Sequence, residues 1–259
     1  MSRIIATRFL SLVAFLCFTA TGTLHAQQAP ISSDRPGLGN GSAVVNQGIF
    51  QAELGYQLDD FDVVTLHNVG QLLLRYGVSD RIELRGGVGS LGFTSGSFGE
   101  EASGYLGASI GAKARLAETD VARLSALASV DFPSTASGDF ETPNDRARQN
   151  LSLLFDGALG SNLGLTVNAG YSFFWDAGRF DDRAGQWSFI PTLSTSINDQ
   201  VGVYAGYAGF YTEGLNQNFV EGGLTFLTSP NTQLDINAGL QVDDYAEYYF
   251  LGLGLAHRF

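Results

Sequence analysis

Cysteine and methionine occur once each, as Cys17 and Met1. Both lie within the first 26 residues, so a chain cut after Ala26 has neither. Such a chain has no disulfide, no thiol nucleophile and no thiolate ligand for a metal. Lysine is as scarce: Lys113 stands alone, against a formal net charge of -12. Neutralising phosphates takes clustered Lys and Arg, so nucleic acid is excluded as a partner. Only 15% of residues are charged, yet there are 33 glycines and 19 phenylalanines. Long apolar runs are also missing. Phe9 to Ala20 is a run of 12, too short to cross ~30 Å of hydrocarbon as a helix.

That short run fits a different use. Arg3 and Arg8 precede it and Leu24-His25-Ala26 follows, the layout of a secretory signal peptide over residues 1–26. Losing Arg3 and Arg8 takes the net charge from -12 to -14. Residues 27–47 are rich in Pro, Gly and Ser and show no alternation. They read as a periplasmic leader or a plug, in which Asp34 and Arg35 can anchor to charges inside a barrel. Residues 48–259 carry the repeating pattern described next.

The dominant period there is two. In Gln233 to Val242, Leu234, Ile236, Ala238, Leu240 and Val242 fall on one face and Gln233, Asp235, Asn237, Gly239 and Gln241 on the other. Successive strand side chains point to opposite faces, so this stretch is amphipathic as a strand and scrambled as a helix. Similar stretches predict twelve strands, at 48–58, 66–77, 81–90, 104–116, 122–132, 149–159, 163–174, 186–197, 201–211, 218–227, 232–242 and 247–259. Each is near the ~9–11 residues that span a bilayer when tilted. Short connections such as Gly160-Ser161-Asn162 alternate with longer acidic ones such as Leu91 to Ser103 and Pro133 to Arg148. Short turns at one end and longer loops at the other mark bacterial outer-membrane barrels. The expected fold is therefore all-β, a transmembrane antiparallel β-barrel of about 12 strands with both termini periplasmic, in contact with outer-membrane lipid. Lipid satisfies no backbone group, so the sheet must close. Aromatic residues are expected at the two interfaces: Phe132, Tyr171, Phe173, Trp187, Phe189, Tyr211 and Tyr249 at the outer rim, and Tyr76, Phe226 and Phe259 at the periplasmic rim.

The last strand ends Gly252-Leu253-Gly254-Leu255-Ala256-His257-Arg258-Phe259. A terminal aromatic, alternating apolar positions and Gly254 resemble the signal read by the barrel assembly machinery, which makes Gly254 and Phe259 its candidate residues. His257 departs from that pattern. Ser33-Asp34-Arg35-Pro36, Leu74 to Arg85, Ser229 to Asp235 and Gly252 to Phe259 resemble a family of outer-membrane transporters named for the meta-cleavage pathway of phenol degradation. The resemblance spans nearly all of the chain after the signal. It implies uptake of aromatic compounds.

Parity turns a set of charges towards the lumen: Glu53, Arg75, Glu83, Arg85, Lys113, Arg115, Asp131, Asp156, Glu221 and Asp235. With a turn centred on Ser79, Arg75 and Glu83 stand opposite each other and can pair. Basic residues on one wall facing acids on the others would set a transverse field that filters solutes by charge. Alternatively the charges pair with one another and fill a narrow barrel. Tyr204, Phe210, Phe219 and Phe250 also point inward, as a sliding surface for an aromatic solute or as lumen packing. The acidic clusters Asp59-Asp60-Phe61-Asp62, Asp176 with Asp181-Asp182, and Asp243-Asp244 lack a calcium-loop pattern and read as solvated loops. No cofactor is implied. Only His67 and His257 remain to serve a barrel lipase, and no Gly-x-Ser-x-Gly accompanies His67. The reading is a non-enzymatic channel for small solutes, against a plugged structural barrel and, further off, a lipid hydrolase.

Overall fold

The computed structural model describes residues 29–97, 99–141, 146–176, 182–243 and 247–259. The expected signal peptide lies outside the described residues. The strands are β1 (Phe50–Asp60), β2 (Val64–Ser79), β3 (Ile82–Gly96), β4 (Glu101–Tyr105), β5 (Ala108–Glu118), β6 (Ala122–Phe132), β7 (Ser137–Gly138), β8 (Arg148–Leu159), β9 (Leu163–Asp176), β10 (Asp182–Ser196), β11 (Val201–Thr212), β12 (Leu215–Ser229), β13 (Thr232–Gln241) and β14 (Tyr249–Arg258).

Fourteen strands make twelve positions around a closed antiparallel barrel. β4 and β5 share one position. β3 pairs through Leu91–Ser95 with β4 and through Ile82–Gly87 with β5. Between them the ladder breaks at Gly89 and Gly107. Both have positive φ, +83 and +93, and a Cβ on Gly89 would collide with the Gly107 carbonyl. Only glycine takes both conditions without strain. β7 pairs with β4 and lies in the connection after β6, outside the ring of twelve.

Closure joins the first and last strands. Gln51 stands opposite Arg258 and Asp60 opposite Tyr249, with every residue between them paired. The Phe259 N–H adds one more bond, to the Phe50 carbonyl at 2.9 Å. The sheet therefore has no open edge, as lipid demands.

The barrel is inside out. Leu224, Ile236, Leu253 and Tyr56 form one continuous outward row across β12, β13, β14 and β1. Leu253 is 52% exposed, whereas Lys113, Glu53 and Glu83 are 0% exposed. Leaving side chains such as Leu253 in water would forgo roughly 1.5–3 kcal/mol each, so the outer surface belongs in a bilayer. Trp187 stands between Tyr171 and Tyr211 on neighbouring strands. Its ring meets Tyr171 edge-on at 4.5 Å. These, with exposed Phe173 and Phe189, form an aromatic band where the long connections begin. Tyr76, Phe226 and Phe259 are exposed near the short turns.

Two expectations change. Several predicted outer loops are largely strand. Leu91 to Gly96 and Glu101 to Tyr105 are paired, and β11 and β12 are joined by Glu213-Gly214 alone. The hairpin ladders simply continue past the apolar belt, so the difference between the two ends is smaller than composition suggests. Around the second hairpin, Arg75 faces Arg85 and Gly77 faces Glu83, because the register shifts between Gly77 and Ser79. Arg75 and Glu83 are thus diagonal neighbours rather than opposites.

Candidate functional site: the occupied lumen

Residues 31–46 rise inside the barrel from the short-turn end, bend at Pro36–Asn40 and descend into β1. Inward positions of nearly every wall hold this segment. On β1, Glu53 accepts the Ser33 hydroxyl at 2.9 Å and the Asp34 N–H at 3.2 Å. On β2, Arg75 donates to the carbonyls of Ser32 and Ala43, each at 3.1 Å. On β3, Glu83 accepts the Val45 N–H at 2.8 Å. On β6, Ser125 donates to the Ser42 carbonyl at 2.6 Å. On β8, Asp156 accepts the Ser42 N–H at 2.8 Å and its hydroxyl at 2.6 Å. On β9, Asn168 accepts from the Asn40 N–H at 2.6 Å and donates to its carbonyl at 2.9 Å. On β12, Glu221 accepts the Leu38 N–H at 3.1 Å. On β13, Asp235 lies 3.6 Å from Arg35.

Asp34 is the hub. Lys113 from β5 donates to both of its carboxylate oxygens at 2.9 Å, and Arg85 from β3 binds it as well. Arg75 is 3.7 Å away and itself donates to Glu53 at 2.7 Å and Glu83 at 2.8 Å. Burial pushes the Asp34 carboxyl up, but Arg75, Lys113 and Arg85 together hold it well below the ordinary carboxylate range. Three cations thus meet three carboxylates: Arg75, Arg85 and Lys113 against Asp34, Glu53 and Glu83. The expected basic wall is present but locally neutralised, because Asp34 from the segment supplies the third acid. A transverse field from these groups does not reach across an open lumen.

Two other predicted residues stand apart. Arg115 sits at the short-turn mouth, bonded to Glu118 and to the Asp80 carbonyl. Asp131 accepts from Asn150 at 2.9 Å. A neutral set holds the segment as well. Gln51 donates to the Ser32 carbonyl and Gln233 to the Arg35 carbonyl, at 3.1 and 3.0 Å. With Asn168 and Ser125 they occupy inward positions that the alternation itself marks; a search limited to charge passes over them.

Gly254 also faces inward, opposite Gly55 on β1. A Cβ at either position would overlap the Arg35 guanidinium. The two glycines form the notch in which Arg35 lies, reaching Gln71 at 3.2 Å and the Leu253 carbonyl at 3.1 Å. Phe259 is exposed, its ring 5.6 Å from Phe50 and 4.7 Å from His257.

Beyond the bend, towards the long connections, the lumen turns aromatic. Leu38 packs against Ile190, Ala208 and Phe219. Phe219 meets Phe210 at 6.0 Å and Tyr248 at 5.5 Å, and Tyr248 stacks on Phe61 at 4.7 Å. Burial, followed by its hydrogen bond to Asp59, raises the Tyr248 hydroxyl above the usual tyrosine range, which keeps it neutral. Tyr204 lies lower, 3.5 Å from Glu221, so the four inward aromatics do not form one surface.

Space remains on both sides of the segment. A cavity of about 750 Å³ runs along β1 to β6 past Gln71, Ser109 and Asp131. One of about 400 Å³ lies between the segment and β9 to β12. It adjoins a third of about 640 Å³ that reaches the short turns at Glu118–Arg123. Asp34, Arg35, Gly39 and Asn40 border both of the first two, so the segment is the partition between them.

Comparison with known proteins gives the family. Residues 33–259 match the family model described as "Putative MetA-pathway of phenol degradation". The chain belongs to that family. The family resemblance read from Ser33 to Pro36 and from the two hairpins is therefore correct. No curated protein matches this family member in sequence. Among solved structures, an outer membrane channel from Pseudomonas putida F1 is 15% identical, with a TM-score of 0.67 over 87% of this chain and 99% of that one. The NanC porin is 8% identical, with a TM-score of 0.55 over 80% of this chain and 98% of its own. The KdgM porin, solved with disordered oligogalacturonate, is 9% identical, with a TM-score of 0.54 over 80% and 99%. These likenesses show the fold, that of the outer-membrane barrels.

His67 faces outward on β2, and its partner is the Tyr56 hydroxyl at 2.8 Å. Among the described residues no cluster of His, Cys, Asp and Glu is arranged to hold a metal.

Proposed function

We propose that this family member is an outer-membrane channel that passes small solutes, with residues 27–47 acting as a plug that narrows the lumen. The observation that carries the reading is the pair of cavities divided by the segment. A barrel that was only a structural wall would have no use for space on both sides of a segment laid through its lumen. On this reading the short-turn end faces the periplasm, which puts both termini there, and the long connections face the outside.

The aromatic lining beyond the bend supports apolar or aromatic solutes. Phe219, Phe210 and Tyr248 offer ring faces and edges, which stack on flat apolar molecules at 4.5–7 Å between centroids. The family description points the same way. His67 is bonded to the Tyr56 hydroxyl and stands opposite Leu58 and Phe93, and the barrel acts as a channel rather than a lipid hydrolase. Lipid contacts the outward rows, and the assembly machinery reads the strand that ends on Phe259.

Proteoliposome swelling tests the function. Liposomes carrying the barrel are expected to swell faster in small neutral solutes than empty ones. Equal swelling rates, together with no single-channel current, would reject the channel and leave the structural barrel.

A further inference from the structure

The partition leaves the lumen asymmetric, and only one side continues to the short turns. The cavity against β9 to β12 is floored by small and hydroxylated inward residues, among them Thr166, Thr192, Ser194 and Thr225. Alternation puts these on one wall: Thr192 faces Thr166 on β9, and Ser194 faces Gly164 on β9 and Tyr204 on β11. Ser194, Thr166 and Gly164 also line the cavity that opens at the turns. On the opposite wall Arg75, Lys113, Glu53 and Glu83 are sealed against the segment, with at most 1% of any of them exposed. Ser125, further round that wall on β6, is covered by Ser42 and is 0% exposed.

We propose that solutes leave the barrel along the wall of β9 to β12, and that Glu221 and Asn168 are the clasp over its entrance. The clasp holds the bend of the segment by hydrogen bonds to its backbone at Leu38 and Asn40, and it closes the boundary between the aromatic chamber and the hydroxylated one. Opening it needs those few bonds to exchange for water and Leu38 to leave its contacts with Ile190, Ala208 and Phe219. It leaves the buried charges around Asp34 in place. The groups that meet a solute on this path are hydroxyls, with the carboxylates of Glu221 and Asp156 at its sides. Its cations, Arg35 and Arg123, are paired with Asp235 and Glu118. The path therefore suits small uncharged or cationic solutes that can hydrogen-bond, and it repels anions.

This rests on the channel reading above, and thiol labelling separates the two. Because Cys17 is the chain's only cysteine, and the expected signal peptide carries it away, single-cysteine variants are clean. Ser194→Cys and Thr225→Cys are expected to react quickly with methanethiosulfonate reagents, several-fold faster with a cationic than an anionic one. Modification should cut the single-channel current at least in half. Ser125→Cys should react slowly and leave the current unchanged. Full modification of both Ser194→Cys and Thr225→Cys without loss of current would overturn the route, as would Ser125→Cys reacting and blocking at the same rate. A barrel that passes neither current nor solute overturns the channel reading, and the route with it.

Discussion

Gly55 and Gly254 face each other across the seam that closes the barrel, and the Arg35 guanidinium lies in the space their missing side chains leave. Gly254 matches the assembly signal in sequence, yet its place in the folded barrel gives a second reason for glycine there. A methyl group at 254 overlaps both Arg35 and the Asp235 carboxylate. Gly254→Ala is expected to weaken docking of the segment by about 1–3 kcal/mol, the usual scale of overpacking. Hydrogen exchange over residues 31–46 reads this directly. The part of the effect that runs through Arg35 should vanish in an Arg35→Ala background, leaving only the overlap with Asp235. Equal effects in both backgrounds would mean that Gly254 serves assembly alone.

Asp34 balances the cluster of charges around it, three against three. Asp34→Asn leaves Arg75, Arg85 and Lys113 facing Glu53 and Glu83. Removing one partner of a buried ion pair costs about 3–5 kcal/mol, so the segment should undock and become sensitive to protease. The pH dependence has a definite sign. A carboxyl held below its ordinary value adds stability that is fully present above the unfolded value, ~3.9, and is lost only as pH falls through the lower folded one. The protease resistance that depends on Asp34, read as the difference between the intact protein and Asp34→Asn, should therefore be the same at pH 7 and pH 5. A difference that shrinks between those values would point to another group as the hub.

Phe259 ends the seam. Its N–H completes the β1–β14 ladder and its ring lies beside Phe50. Phe259→Ala removes an aromatic contact worth about 0.5–1.5 kcal/mol and should lower the yield of heat-modifiable barrel modestly. Deleting the residue removes the backbone bond too and should lower the yield further. Full yield from the deletion would show that closure does not depend on it.

Neutralising Arg85 and Lys113 together, to Gln, is expected to enlarge the pore rather than invert its selectivity, because both side chains are spent on Asp34. Planar-bilayer recordings distinguish these outcomes. An unchanged conductance with altered ion selectivity would mean that the cations line the path after all.

The wall of the barrel was legible from alternation, since period two and the need to close leave few alternatives. Leu234, Ile236 and Leu240 announced their face, and the twelfth strand's pairing with the first followed from the absence of free edges. The register at Arg75 was not legible, because a bulge at Gly77 depends on local backbone geometry that alternation does not encode. Nor was the path of residues 31–46. Asp34 and Arg35 marked it as able to anchor, but its contacts run from backbone N–H and carbonyl groups to inward side chains on nine different strands. Asn168, Gln51 and Gln233 stood at inward positions throughout. Their role becomes visible only when a second chain segment lies inside the barrel to use them.

The most direct test of the central claim compares single-channel conductance of the intact chain with that of a variant lacking residues 30–45, both checked for heat-modifiable folding. A narrow pore is expected in the intact protein, and a several-fold larger, less selective one without the segment. Equal conductance from two folded barrels would show that the segment does not occupy the conducting lumen.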